Sequence, residues 1–272
     1  MKAWLLLLVA SVATASESPL VARETADVLP AGRWQMGVFN PLQVGLGGGF
    51  ELQAHPLLFL VSPNVVMRKQ QAAVGDWTFT GELGLSMPTL AMRLTRGFLF
   101  PEAAEIGWTL VPRVGVMASF RPGSAPLAEG EAPNIQDPWR REAQVLTLSV
   151  DLAYGFELTE GEVGPLGTYA PLEMLLAPAL ADYRFRAGVA YDHRLLSWLR
   201  ARAYADGYSH GSVTGNALTV RAGVGVDLQV GDRGRFTLGA VWWNSDQGAH
   251  DELGNFHRSN DFYPTVDFLW SW

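Results

Sequence analysis

Cysteine is absent from the 272-residue chain. No disulfide can therefore staple it, and no thiol is available for lipid attachment, metal binding or redox chemistry. Long apolar runs are missing too. Beyond the N-terminal region nothing approaches the ~20 consecutive apolar residues that a membrane helix needs. Charge is sparse, with 17% charged residues against 48% hydrophobic, a poor balance for a water-soluble surface. A formal charge of −7 argues against a nucleic-acid partner, whose phosphates call for clustered Lys and Arg. So many apolar residues without a long run must be dispersed by alternation. A closed sheet in a membrane requires that dispersal, because every backbone polar group has to be paired away from water.

The alternation is clearest in Ala217 to Val230. Leu218, Val220, Ala222, Val224, Val226, Leu228 and Val230 share one face, and Thr219, Arg221, Gly223, Gly225, Asp227 and Gln229 share the other. A helix would need apolar spacings of three and four. The run also exceeds the ~5–6 residues of an ordinary globular strand and suits the ~9–11 residues of a tilted membrane strand. Gln144 to Leu158, Ile106 to Phe120 and Leu180 to Asp192 repeat the pattern. Ser197 to Tyr208, Arg235 to Asn244 and Asp76 to Met87 follow it more weakly. The weakest candidates are Arg33 to Leu46, Phe50 to Val61, Val65 to Gln71 and Thr168 to Ala177.

The chain closes on Phe262 to Trp272, FYPTVDFLWSW, with Pro264, Val266, Phe268, Trp270 and Trp272 on one side. This ending resembles the C-terminal strand of Gram-negative outer-membrane β-barrels. The resemblance implies residence in the outer membrane and lipid as the surrounding partner. It also implies that Phe268, Trp270 and Trp272 form an insertion signal read by the barrel-assembly machinery. At the other end, Lys2, the apolar stretch Leu5 to Ala10 and the small-x-small triplet Ala13-Thr14-Ala15 read as a secretory signal peptide cut after Ala15. The expected organisation is residues 1–15 as signal, 16–32 as a short periplasmic segment and 33–272 as the barrel.

The expected fold is all-β, a closed antiparallel transmembrane barrel of about twelve strands, with 10–14 open. Pro88 to Gly97 alternates acceptably but also reads as a short helix, with Pro at its start and Gly at its end. As a periplasmic turn helix it makes the strand number even and sends Arg121 to Glu142 outside, as the longest outer loop. Ser209 to Asn216 and Asp246 to Asn260 read as outer loops, Gly231 to Gly234 and His193 to Leu196 as short periplasmic turns, and Gly47 to Gly49 as a hairpin turn.

On the face away from lipid, Arg184, Arg186, Arg200, Arg202 and Arg221 lie on three neighbouring strands. Residues i and i+2 of a strand point the same way, so these arginines form one wall, with Asp182, Asp206 and Asp227 in the same rows. Small residues, among them Gly107, Gly115, Ser119, Ser149, Ala153 and Gly155, are expected opposite. Two readings stay open. The wall can be a constriction that selects small polar or anionic solutes in a passive channel. It can equally be a packed interior in which arginines and carboxylates pair inside a non-conducting structural or surface-interaction barrel.

Catalysis has a thinner basis. His210-Gly211-Ser212 is similar to the His-x-Ser pair of outer-membrane phospholipase A and lipid A deacylase. Those enzymes follow the serine with Asn, where Val213 stands here, and strand parity turns His210 away from lipid. His250 and His257 with nearby acids read as a solvated loop and not as a metal site. No catalytic residue, cofactor or metal is assigned.

Overall fold

The computed structural model describes residues 22–59, 62–94, 107–122, 143–161, 174, 177–179, 183–212, 215–231, 233–250 and 256–272. The leader 1–15 and Asp182 lie outside these. In chain order the strands are β1 Trp34–Gly37, β2 Leu42–Gly47, β3 Phe50–Ala54, β4 Asn64–Val74, β5 Trp77–Ser86, β6 Thr109–Phe120 and β7 Gln144–Tyr154. They continue as β8 Tyr183–Leu196, β9 Leu199–Ser212, β10 Gly215–Val230, β11 Gly234–His250 and β12 Phe256–Ser271. Phe156–Glu157 prolongs β7 past Gly155 and pairs with β6. Among the described residues, the short helices α1 Pro56–Phe59 and α2 Thr89–Leu94 interrupt the series, and Met174 and residues 177–179 are also helical.

Each strand pairs antiparallel with its chain neighbours, and β1 pairs with β12 to close the ring at twelve. Closure is tight at the first and last strands. The Trp34 amide donates to the Trp272 carbonyl at 3.0 Å and the Trp272 amide returns the bond at 2.8 Å. Their indoles stack at 5.9 Å, and the Arg233 guanidinium lies 3.9 Å above the Trp272 ring. The alternation sorts the wall as the sequence pattern expects. Val114, Val116, Leu148, Val150, Leu152, Val224, Val266 and Trp270 are exposed outward. Ser119, Thr147, Asp151, Thr219, Asp227 and Asp267 are buried inward. An apolar exterior belongs against hydrocarbon, and a closed ring leaves no unpaired edge within it.

One rim carries tight turns at Gly48–Gly49, Gly75–Asp76 and Ser197–Trp198, and Gly231 and Arg233 are turn residues there. Gly48, Gly49, Gly75 and Gly231 supply the left-handed φ values these turns need, 58°, 75°, 57° and 61°. Tight turns mark the periplasmic end of such barrels. Phe120 and Gln144 also reach this rim, since Phe120 pairs with Trp77 and Gln144 with His193. The ends of the segment Arg121 to Glu142 therefore stand at the tight-turn rim and not at the rim expected for them, while residues 123–142 lie outside the described residues. The helix expected near 88–97 is present as α2, and it stands at the far rim, opposite Trp272.

Two compensating differences explain the inversion. Arg33 to Leu46 is two strands rather than one. Asp267 Oδ1 accepts the Phe39 amide at 3.0 Å and its Oδ2 binds the Asn40 side chain, so the chain turns back at Val38–Pro41. Of Thr168 to Ala177, expected as one strand, the two described residues, Met174 and Ala177, are helical, and the others lie outside the described residues. The total stays twelve, but every strand between these two places runs opposite to expectation. Other boundaries also move: His193 to Leu196, expected as a turn, ends β8, and the turn is Ser197–Trp198. Phe50 to Val61 breaks into β3 and α1. The connection Ser209 to Asn216 is mostly strand, with Ser212 paired to Gly215. Asp246 to Asn260 is largely hairpin, with Asp246 paired to Arg258 and His250 to Phe256.

Candidate functional site: the charged lumen

Residues 22–30 are not a free periplasmic segment. They enter the barrel at the tight-turn rim beside Gly45 and cross its lumen as a strap. Thr25 and Ala26 are 4% and 0% exposed. The strap leaves the β2 wall and touches β3 to β6. The Leu29 amide donates to Glu51 Oε2 at 2.7 Å and the Ala26 amide to Ser119 Oγ at 2.8 Å. Arg68 NH1 donates to the Asp27 carbonyl at 3.1 Å and NH2 to the Thr25 carbonyl at 2.5 Å. Thr80 Oγ1 donates to the Ala26 carbonyl, and Arg121 pairs with the Asp27 carboxylate. On the far wall Arg202 NH1 donates to the Arg23 carbonyl at 2.5 Å and NH2 to Glu24 at 2.7 Å. Arg23 Nε reaches Asp227 at 3.1 Å. Glu24 is held at φ 50°, the only left-handed non-glycine among the described residues.

Above the strap, charges alternate around the wall through eight consecutive strands, β3 to β10. Arg68 links Glu51 at 3.0 Å to Glu82 at 2.9 Å. Arg113 links Glu82 at 2.6 Å to Asp151 at 3.5 Å. Arg184 and Arg186 reach Asp151 at 3.3 and 3.2 Å. Arg186 also meets Asp206 at 3.4 Å, and Arg221 grips Asp206 with Nε at 2.8 Å and NH2 at 2.5 Å. A second, shorter row nearer the tight turns joins Asp192 to Arg200 and Arg202, both at 3.5 Å, and Asp227 to Arg235 at 3.6 Å.

The predicted wall of Arg184, Arg186, Arg200, Arg202 and Arg221 therefore exists on β8, β9 and β10, but its guanidiniums are paired with carboxylates. Arg200 is fully buried, and the Arg202 side chain is 9% exposed. Arg186 and Arg221 keep 24% and 27% of their side-chain surface open, and Arg113 joins them at 29%. Arg113 went unread because Pro112 blurs the alternation there, although two-residue spacing from Gly115 places it inward. Glu51, Arg68 and Glu82 were also missed, since they sit on short or weakly patterned strands. The strap residues carried no periodic signal at all.

The small inward residues are not opposite the arginines. Their strands β6 and β7 lead directly into β8, and the missing volume is used by neighbours. At Gly188 an added Cβ would lie 2.3 Å from Asp206 Oδ1, and at Gly223 it would lie 2.4 Å from the Tyr204 ring. Gly188→Ala is expected to displace Asp206 from Arg186 and cost about 1–3 kcal/mol. Urea unfolding followed by tryptophan fluorescence checks it; an unchanged midpoint with unchanged slope would show that the carboxylate moves freely.

Toward the far rim Met174, Tyr208, Val241 and Trp243 form a buried cluster on the inner face, with Tyr204 and Tyr263 packed against them. Arg221 lies over the rings of Tyr204 at 5.1 Å and Trp243 at 5.4 Å. His210 is 1% exposed on this wall. Its Nδ1 donates to the Gly211 carbonyl at 2.8 Å, leaving Nε2 to accept from the Thr219 hydroxyl at 3.3 Å. The imidazole is engaged by wall groups and faces away from lipid; the Ser212 side chain lies outside the described residues. Among the described residues no group of His, Asp and Glu could hold a metal ion. The outer wall carries a shallow apolar trough of about 600 Å³, lined by Tyr191, Ala201, Ala203, Val224 and Ala240.

Arg202 beside it, reinforced by Arg23, Arg221 and Arg186, holds the Glu24 carboxyl well below its ordinary value of 4.5, down to about 2. A carboxylate with a depressed folded-state pKa contributes above its unfolded value and loses that contribution as pH falls through the folded one. Seating of the strap by Glu24 should thus be complete above pH 4.5 and decay toward pH 2. Hydrogen exchange at the Ala26 amide, corrected for intrinsic rates, reads this directly. Glu24→Gln should exchange faster at neutral pH and show no such decay.

A closed antiparallel wall, apolar outside and ion-paired inside, gives this chain the architecture of a transmembrane β-barrel of the outer-membrane type. No family model and no curated protein matches its sequence. Among solved structures it is similar to the outer-membrane expressed OmpT of Vibrio cholerae, at 9% identity and a TM-score of 0.45, covering 88% of this chain and 64% of that one. It is also similar to the OmpT variant of the same organism lacking loop L8, at 10% identity and a TM-score of 0.45, over 88% and 62% of the two chains. The chain thus spans less than two thirds of the length of either.

Proposed function

We propose that this protein is a narrow outer-membrane channel for small anionic solutes, held closed at rest by the strap of residues 22–29. The observation that carries this reading is the strap's course across the lumen, from the β2 wall to Arg202 and Asp227 on the opposite side. Anion preference is supported by the ion pairs among the described lumen residues, in which ten arginines meet eight carboxylates, with Asp267 a ninth inward carboxylate. An excess of fixed positive charge in a narrow passage favours anions. The open faces of Arg113, Arg186 and Arg221 are where a solute would meet it. Insertion through Phe268, Trp270 and Trp272 belongs to the same reading.

A packed, non-conducting barrel is the second reading, favoured by the unbroken alternation of charges from Glu51 to Arg221. Planar-bilayer recording separates the two. The full chain should rest closed, with a conductance at least tenfold below that of a chain lacking residues 16–29, and the shortened form should prefer anions. Silence from both forms, each folded, would establish the scaffold. Equal steady conductance from both would show that the strap obstructs nothing.

A further inference from the structure

The wall grips the strap chiefly by its backbone. Arg202 takes the carbonyl of Arg23, Arg68 those of Thr25 and Asp27, and Thr80 that of Ala26. Ser119 and Glu51 accept the amides of Ala26 and Leu29. Six main-chain groups within seven residues are read by fixed side chains of β3, β4, β5, β6 and β9. Main-chain groups are common to all polypeptides, so such contacts supply affinity without asking for a particular sequence. Only Arg23, Glu24 and Asp27 add side-chain ion pairs.

We infer that this seat is a polypeptide-binding site, of which the strap is the resident occupant. Its other ligand is an extended segment of another chain presented from the tight-turn rim. The strap excludes that segment because tethering gives it an effective concentration on the order of millimolar. A competitor therefore binds when the strap is displaced. The inference rests on the strap's placement and not on conduction, so a barrel that never conducts would leave it standing.

Because the chain has no cysteine, Val28→Cys provides a single reporter of strap position by maleimide labelling. Ala26 is 0% exposed, so Ala26→Trp cannot fit the seat and should eject the strap, speeding labelling of the full-length Val28→Cys chain at least tenfold. A fluorescent peptide of the native sequence Ala22 to Pro30 should then bind the full-length Ala26→Trp protein at least tenfold more tightly than the unaltered one, by anisotropy. The same peptide with Arg23, Glu24 and Asp27 replaced by Gln, Gln and Asn should stay within about threefold. N-methylation at Ala26 should cost tenfold or more. A strap that leaves without the native peptide binding overturns the inference, as does a tenfold loss for the uncharged peptide. Unchanged labelling in Ala26→Trp would place the strap elsewhere and overturn it too.

Discussion

Arg68→Ala is expected to lower the unfolding free energy by about 3–5 kcal/mol, the usual cost of stripping one partner from a buried ion pair. The Arg68 side chain is 4% exposed and sits between Glu51 and Glu82, themselves at 2% and 7%. Its NH1 and NH2 also hold the strap carbonyls of Asp27 and Thr25. One substitution thus breaks the alternating row and the strap's seat together. Glu82 keeps Arg113 at 2.6 Å. Glu51 keeps only hydrogen bonds, from Gln53 at 2.7 Å and the Leu29 amide at 2.7 Å, so the penalty should fall mainly there. Arg68→Lys should recover only part of the loss, because an ammonium cannot fork across four acceptors. Urea unfolding in lipid vesicles gives the figure; a loss under about 1 kcal/mol would show that water replaces the guanidinium without cost.

Asp151→Asn should be of similar size, again about 3–5 kcal/mol. Three guanidiniums converge on this carboxylate, from Arg113, Arg184 and Arg186, and its side chain is 3% exposed. The amide keeps the shape and removes the charge, leaving three cations in one enclosure. Arg113 retains Glu82 and Arg186 retains Asp206, whereas Arg184 keeps, among the described residues, the Met174 carbonyl at 2.7 Å. Adding Arg184→Met should therefore restore part of what Asp151→Asn removes. Groups in one ion-paired network are expected to be non-additive. Strict additivity in the double-mutant cycle would mean that Arg184 and Asp151 do not communicate.

Much of the wall was legible because membrane strands obey a strict rule. A period of two with an apolar face and a polar face admits one orientation in a barrel, so Leu218 to Val230 and Phe262 to Trp272 could be placed from their residues alone. The same rule put Arg184, Arg186, Arg200, Arg202 and Arg221 on the inner face before any contact was known. It failed where strands are short. β1, β2 and β3 span Trp34–Gly37, Leu42–Gly47 and Phe50–Ala54, too few residues for a period to declare itself. Thr168 to Ala177 failed in the opposite sense, with a weak alternation overridden by helix in the residues described there. Two such errors cancel in the count and do not cancel in direction. That is how the segment after Arg121 and the helix Thr89–Leu94 came to be expected at each other's rims.

By itself the sequence determined the class of environment and the side of the wall on which each residue of a long strand stands, because both follow from local periodicity and the demands of lipid on the backbone. It did not determine which charge meets which. Ion pairing depends on neighbours 8 to 204 residues apart, such as Arg200 with Asp192 and Arg23 with Asp227, which the folded ring brings together. Nor could it show that residues 22–30 lie inside the lumen. Most of their contacts are made through their own main-chain groups, which leave no trace in the pattern of side chains. The tertiary structure alone turned a wall of arginines into a row of paired charges beneath which a strap is held.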